Sequence, residues 1–250
     1  MLFREQISET LAISQPTHAW IAGQILRAWD ENFDKPLLLA AEQHDIGWID
    51  WEAAPTFDPR TGRPHLFRDI GAAIRAPMWT KGVQWALAAW GAHVALLLSR
   101  HGGIIFGRYA DPGQTATDTE AARKFLEAQA PIEEEWARGL ELAPAALEKE
   151  TALVALADSL SLALCGGLKT PWEMEAPGRN GERLAMRLTE RRGQPFDFHL
   201  SPWPFRSDVV TVEGEARALP AEGRFPDEAA MQAWLAAPKR TTFQARLTRG

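Results

Sequence analysis

The feature that most constrains this chain is a change of apolar period near residue 175. Upstream, apolar residues recur at helical spacing in THAWIAGQILRAWD, KPLLLAAEQHD, KGVQWALAAWGAHVALLLSRH, EAARKFLEAQAPIEEEWARGL and LEKETALVALADSLSLALCGG. Downstream the period shortens toward two, as in Leu184, Met186 and Leu188 and then Phe196, Phe198 and Leu200, with ERRGQ as the turn of a hairpin. The segment MEAPGRNGER, rich in turn residues, marks the change. The pattern predicts a mainly α fold: a helical bundle over 1–175, then a β-rich, antiparallel appendage over 176–250 packed on the same domain. Within that appendage SDVVTVEGEARAL and TTFQARLTR read as strands, and PDEAAMQAWLAA as one amphipathic helix. Gly47, Gly102 and Gly166 fall where helix C-caps are expected. The stretch 55–81, with its Pro, Gly and Arg, reads as a long connection of the kind that often carries function.

Polar residues break the apolar stripes at four places. At about 100° per residue, His18 shares a stripe with Ile21, Ala22, Ile25 and Trp29, and His44 with Leu37, Ala40 and Ala41. His101 ends the seam Val83, Leu87, Trp90, Val94, Leu97, and Asp158 lies among Val154, Ala155, Leu162 and Cys165. Taken singly, His18 or His101 reads as a core histidine bonded to a backbone carbonyl, Asp158 as the partner of an arginine, and Asp45 as a solvated acid at a helix end. Taken together, four helices each place a metal-competent group where an apolar one would pack better, and convergence on one ligand removes the cost of burying them.

Composition limits the chemistry. With 250 residues, 46% hydrophobic, the chain has enough apolar content for a sizeable core. Its single cysteine, Cys165, excludes an internal disulfide and a cysteine-cluster zinc site, so a metal here must be held by histidine and carboxylate. A net charge of -6 argues against a general nucleic-acid binder. No stretch reaches the roughly 20 apolar residues of a membrane span, and MLFREQISET lacks the plan of a signal peptide, so a cytoplasmic location is expected.

The order His18, then His44-Asp45 in the form HDIG, then Asp158 in LADSLS resembles the HD-domain superfamily of metal-dependent phosphohydrolases over about residues 10–170. The segments GWIDWE, GRPHLF and LLLSRH resemble more closely an HD-like bacterial family of uncharacterised function. The resemblance implies that His18, His44, Asp45 and Asp158 hold a metal, with His101 the candidate for a second ion. One or two ions of Mn, Fe, Co, Ni or Zn suit such a ligand set. His93, about 12 Å along the helix from His101 and roughly 80° around it, is the poorer candidate and reads as a flank residue. Many HD enzymes acting on nucleotides carry a lysine soon after HDIG; here Trp48 follows.

The reaction implied is hydrolysis of a small phosphorylated metabolite or nucleotide, with Asp45 and His101 as candidate catalytic residues. Trp48, Trp51 and Phe67 are candidates to stack a flat substrate, although each singly reads better as core packing, and Arg68, Lys81 and Arg100 read equally as partners of its phosphate or of surface acids. Asp50 is a candidate to orient a ligand or water, and also reads as solvated. His65 reads as a loop residue and His199 as exposed. Two alternatives stay open: a two-iron oxygenase of the HD type, and a non-catalytic, metal-stabilised binding module. Strand edges such as DVVTVEG are natural pairing surfaces for a second copy, and the sheet could equally close over a pocket.

Overall fold

In the computed structural model, residues 1–6, 8–108, 115–178, 182–237 and 239–250 are described, apart from the Arg108 side chain. The chain opens with two short strands, β1 (Leu2–Glu5) and β2 (Thr10–Ile13), followed by α1 (Gln15–Ala28) and α2 (Lys35–Gln43). A 3-10 turn at Ile46–Trp48 leads into α3 (Ile49–Ala53), and the two-residue strands β3 (Phe57–Asp58) and β4 (Arg63–Pro64) form a small hairpin. Four long helices follow: α4 (Ala72–Trp90), α5 (Ala92–Arg108), α6 (Ala116–Gly139) and α7 (Pro144–Gly166). Then come β5 (Trp172–Pro177), β6 (Arg183–Glu190), β7 (Asp197–Ser201), β8 (Val209–Ala218), α8 (Glu228–Ala236) and β9 (Thr241–Arg249).

Local sequence sets several of these boundaries. Ser14 caps α1 by accepting the Thr17 N–H at 3.2 Å, with Pro16 in the first turn, where its missing N–H costs nothing. Thr115 and Asp118 form a reciprocal capping box at the start of α6. The single helix expected through KGVQWALAAWGAHVALLLSRH is two, because Gly91 takes φ +91° and ends α4. The 55–81 stretch expected as connection contains the start of α4, whose internal Pro77 and preceding Gly71 obscure its helical period. Gly47 lies in the 3-10 turn, Gly102 inside α5 and Gly166 at the last position of α7; the glycines that close helices at positive φ are Gly91 and Gly167, and Glu141 does so after α6.

The β-structure corrects the expected fold class. Helix makes up 53% and strand 22% of an α+β fold with one curled, seven-stranded sheet, so the chain is not a helical bundle with a small appendage. The strand order is β1-β2-β8-β9-β7-β6-β5, which recruits strands from before α1 as well as from the C-terminal third. The sheet is mixed, not antiparallel, because β7 runs parallel to β9 while its other neighbour pairs are antiparallel. The predicted β6–β7 hairpin is present, with Leu188 opposite Leu200. β8 is interior in the strand order, but over DVVTVEG its strand neighbour is β9, and β2 pairs with β8 only at Arg217 and Ala218, so among the described residues the other side of that segment has no strand partner. Beyond β2, the carboxamide of Gln24 on α1 exchanges two hydrogen bonds with the Glu213 backbone, at 2.8 and 3.0 Å.

Sheet and helices share one core. Ile21, Ile25 and Leu26 of α1, Leu96 to Leu98 of α5 and Leu153, Leu156 and Leu160 of α7 join Phe198, Leu200, Val212 and Leu247 from the sheet in a continuous buried cluster. The contact between α1 and β8 is close enough that a Cβ on Gly214 would meet Thr17 Cγ2 at 2.9 Å and Ile21 Cδ1 at 3.1 Å. Burying the two layers against each other removes most of their apolar surface from water, the dominant favourable term in folding. Of the helices that carry the polar breaks, α1 packs on β8 and α7 on β1 and β5, while α2 and α5 pack on neighbouring helices.

Candidate metal centre

The four polar breaks meet at one point. His18 comes from α1, His44 and Asp45 from the corner between α2 and the 3-10 turn, His101 from α5 and Asp158 from α7. All five are buried, with exposures of 0%, 3%, 4%, 1% and 8%, so Asp158 is the most open of them. Two groups of potential ligand atoms, each lying within 4.8 Å of one another, share His44: His18, His44 and Asp45, and His44, His101 and Asp158. The rings of His18 and His101 each lie 5.0 Å from that of His44 in edge contact.

The hydrogen bonds fix how each histidine faces the centre. His44 Nδ1 lies 2.8 Å from the Ala41 carbonyl, which can only accept, so that nitrogen carries the proton. Its Nε2 then faces Asp158 Oδ1 at 3.3 Å and Asp45 Oδ2 at 3.8 Å, and is buried without an aligned hydrogen-bond partner. His18 follows the same logic. The single hydroxyl hydrogen of Ser161 goes to the Asp158 backbone carbonyl at 2.8 Å, so its oxygen accepts from His18 Nδ1 at 2.9 Å. His18 Nε2 is then turned toward Asp45 Oδ2 at 2.7 Å. In the neutral ring both Nε2 atoms present lone pairs to carboxylate oxygens, an arrangement that needs a proton or a cation between them. His101 Nε2 lies 3.4 Å from Asp158 Oδ2, and neither of its ring nitrogens has an aligned hydrogen-bond partner.

This pattern fits a divalent metal. Metal-binding histidines protonate one nitrogen toward a fixed acceptor and leave the other as ligand, as His18 and His44 do. Buried polar atoms without partners call for an explanation, and a cation would satisfy His44 Nε2 and His101 together with Asp158. The electrostatics point the same way. Burial pushes the His44 pKa down, but the charge of Asp45 and the contact with Asp158 outweigh it and raise it to about 9. Burial likewise opposes ionisation of Asp158, yet His101 and His44 hold its carboxyl well below the usual range. The centre is built to keep negative charge and to attract positive charge.

Around it, the walls are apolar. Gly47 and Gly82 let the 3-10 turn and α4 come together: a Cβ on Gly47 would meet the Met78 carbonyl oxygen at 2.2 Å, and one on Gly82 would meet Gly47 N at 3.0 Å. Gly102, next to His101, gives room to the Trp79 indole, whose Nε1 donates to the Leu98 carbonyl at 3.1 Å. A cavity beside the cluster is lined by His44, Trp48, Trp79, Val83 and Leu98 with the two glycines, and holds about 10 Å³ of space for the centre of a water-sized sphere. That is on the order of the room one water molecule needs. A larger groove, about 280 Å³, lies at Phe3, Arg63, Leu66 and Arg224, and no cluster residue lines it.

Of the expected substrate contacts, only Trp48 lines the cavity at the cluster. Trp51 packs edge-on against it at 5.5 Å in a second buried cluster, where Phe67 also packs. Arg68 is exposed, 5.7 Å from the Phe67 ring, and does not line the cavity. Arg100, although it adjoins His101, donates from Nε to Thr151 Oγ1 at 3.0 Å and lies 3.9 Å from Glu133. Lys81 pairs with Asp50 and sits 4.7 Å from the Trp85 ring. His93 bonds Glu150 at 2.7 Å, away from the cluster, and His65 bonds Thr56. His199 contacts Thr248 and Arg191 on the sheet.

Three residues at the site escaped sequence reasoning. Ser161, which sets the His18 tautomer, stands one helical turn after Asp158, a spacing visible in ADSLS. Gln15 donates to Asp45 Oδ2 at 3.1 Å, and Glu52 accepts the Gln15 backbone N–H at 2.9 Å. Neither stands out in a sequence, because Gln15 reads as a helix-start residue and Glu52 as a solvated acid.

No curated protein matches the chain, and neither does any solved structure. Residues 1–221, which include every residue of the cluster, match the family described as "Protein of unknown function (DUF3891)", and the chain belongs to that family.

Proposed function

We propose that this protein is a metal-dependent phosphohydrolase of the HD type acting on a small phosphorylated compound. The observation that carries the metal part is the matched orientation of His18 and His44, each donating its Nδ1–H to a fixed acceptor and each turning Nε2 toward a buried carboxylate. His18, His44, Asp45 and Asp158 would hold the ion, with His101 placed to complete the set or to start a second site. A bound divalent ion in such a site supplies Lewis acidity, bringing the pKa of a bound water toward 7 and polarising a phosphoryl oxygen.

The chain's own residues do the rest. Asp45, whose Oδ2 already accepts from Gln15, is the group placed to take a proton from an attacking water. Ser161 and the Ala41 carbonyl keep the two imidazoles from rotating. Trp48, Trp79, Val83 and Leu98 exclude bulk water from the cluster, which strengthens every charge interaction within it. The cavity beside His44 and Trp48 holds about one water, less room than a phosphoester needs on that side of the cluster.

The same small, mostly apolar cavity favours a second reading, oxidation with dioxygen at a two-iron site, since a diatomic molecule is close in size to the water that the space admits. One experiment separates the two. Protein loaded in turn with Mn, Fe, Co, Ni and Zn is assayed on a panel of phosphomonoesters, phosphodiesters and nucleotides, with oxygen uptake followed in parallel. Metal-dependent phosphate release lost in Asp45→Asn supports the hydrolase. Oxygen uptake by the iron form alone supports the oxygenase, and inactivity in every form counts against both.

A further inference from the structure

The helix that delivers His18 begins in a polar network behind the metal ligands. Gln15, the first residue of α1, is 2% exposed, and Glu52 of α3 is buried. Glu52 Oε1 accepts the Gln15 backbone N–H at 2.9 Å, so a carboxylate from a neighbouring helix satisfies one of the open donors at the start of α1. The Met1 amine meets the same oxygen at 3.1 Å. The Gln15 carboxamide then donates from Nε2 to Asp45 Oδ2 at 3.1 Å, the oxygen that His18 Nε2 also contacts. The path closes on itself: Asp45 leads through the 3-10 turn to α3, Glu52 reaches back to Gln15, and Gln15 returns to Asp45.

Filling a core position with glutamine is costly unless its polar atoms are used. Here Gln15 Oε1 and Glu52 Oε2 are both buried without a partner. Among the described residues the one hydrogen bond of the Gln15 side chain is to Asp45, beside two unpaired acceptors. A leucine or methionine would pack as well with no such cost, so packing alone does not account for this residue.

We propose that Gln15 and Glu52 are positioning residues for Asp45: Glu52 sets the start of α1, and the Gln15 carboxamide holds Asp45 Oδ2 on the side of His18 and His44. This rests on the metal-site reading above. Groups that orient a metal ligand change metal affinity when removed by roughly 10–100-fold. The donor identity at Gln15 therefore sets both how tightly the site binds an ion and the field that the ion experiences.

The test titrates metal-free full-length protein with Co(II), whose visible absorption reports ligand geometry, and records far-UV circular dichroism on each sample. Gln15→Met removes the donor at similar volume, and Glu52→Met removes the anchor of α1. Glu52→Gln retains an oxygen acceptor for the Gln15 N–H, and Asp45→Asn removes a proposed ligand. The expected result is Co(II) binding weakened by about tenfold or more in Gln15→Met and Glu52→Met, with an altered visible spectrum and native helicity. Glu52→Gln should retain the wild-type spectrum, and Asp45→Asn should lose it. A purely structural role would lower thermal stability and leave the spectrum of the bound ion unchanged. If Gln15→Met fails to fold, Glu52→Met reads the same link from its other end. Wild-type affinity and spectrum in the folded methionine variants, with loss in Asp45→Asn, would overturn the positioning role and leave the metal site standing. Absence of Co(II) binding by the wild type would overturn both.

Discussion

Replacing Gly47 by alanine tests whether the approach of the 3-10 turn to α4 holds the cluster together. The added Cβ would sit 2.2 Å from the Met78 carbonyl oxygen and 2.9 Å from its carbon, both backbone atoms of a packed helix. Reaching the 3.4 Å of ordinary contact requires the turn or α4 to retreat by about 1.2 Å. Overpacking a tight core usually costs about 1–3 kcal/mol, and a clash with backbone that cannot rotate away belongs at the upper end, near 3 kcal/mol. With a urea m-value of roughly 3 kcal/mol per molar for a chain of this size, the midpoint should fall by about 1 M. Gly82→Ala, whose nearest contact is 3.0 Å, should cost less. Gly103→Ala meets nothing closer than 4.0 Å inside α5 and should stabilise by about 0.5–1 kcal/mol through helix propensity. Urea unfolding of the three variants, followed by tryptophan fluorescence, gives the ranking. A Gly47→Ala midpoint within error of wild type, or below Gly103→Ala by less than 0.5 M, would refute the argument that this contact is rigid.

Three further outcomes follow from the same geometry. Glu190 accepts from Arg4, from the Leu168 N–H and from the Phe196 N–H, and although burial opposes its ionisation these donors hold its pKa below the ordinary glutamate value. Its contribution to stability is therefore complete above about pH 4.5 and is lost as pH falls through the depressed native value. Glu190→Gln should flatten that part of the stability-versus-pH curve and cost about 3 kcal/mol at pH 7, where it leaves Arg4 buried without its counter-charge; denaturant unfolding from pH 7 down to pH 3 reads both. Phe198, fully buried between β6 and β9, should cost about 3–5 kcal/mol on truncation to alanine, measured by the same unfolding assay. A divalent ion that binds only the folded chain should raise its stability by about 2.7 kcal/mol at a hundredfold excess over its dissociation constant, seen as a rise in melting temperature that Asp158→Asn abolishes.

The helical half was legible because its stripes are long. His18, His44, His101 and Asp158 each interrupt a run of apolar residues spaced for one helix face, and the cluster brings the interruptions together. Short elements were not legible. β1 and β2 have four residues each, and Thr10 to Ile13 are buried at every position, so neither length nor alternation marks them as strands. Their place in the sheet depends on pairing Leu11 with Ala218, across most of the chain. The parallel pairing of β7 with β9 is likewise set by the path through β8 and α8, which no local pattern encodes. At the site, charge alone left Arg100 two readings, a phosphate partner or a partner of acids, and the structure engages its guanidinium with Thr151 and Glu133. No described helix is long and apolar enough to cross a membrane, as the hydropathy pattern suggested.

Elemental analysis of protein purified without chelator or metal-affinity tag, wild type beside Asp45→Ala, tests the central claim most directly. The account predicts one or two equivalents of a transition metal in the wild type and loss of that metal in the variant. Less than about a tenth of an equivalent in both, not restored by added Mn, Fe, Co, Ni or Zn, would contradict it. His18, His44, His101, Asp45 and Asp158 would then be a polar core held by protons alone.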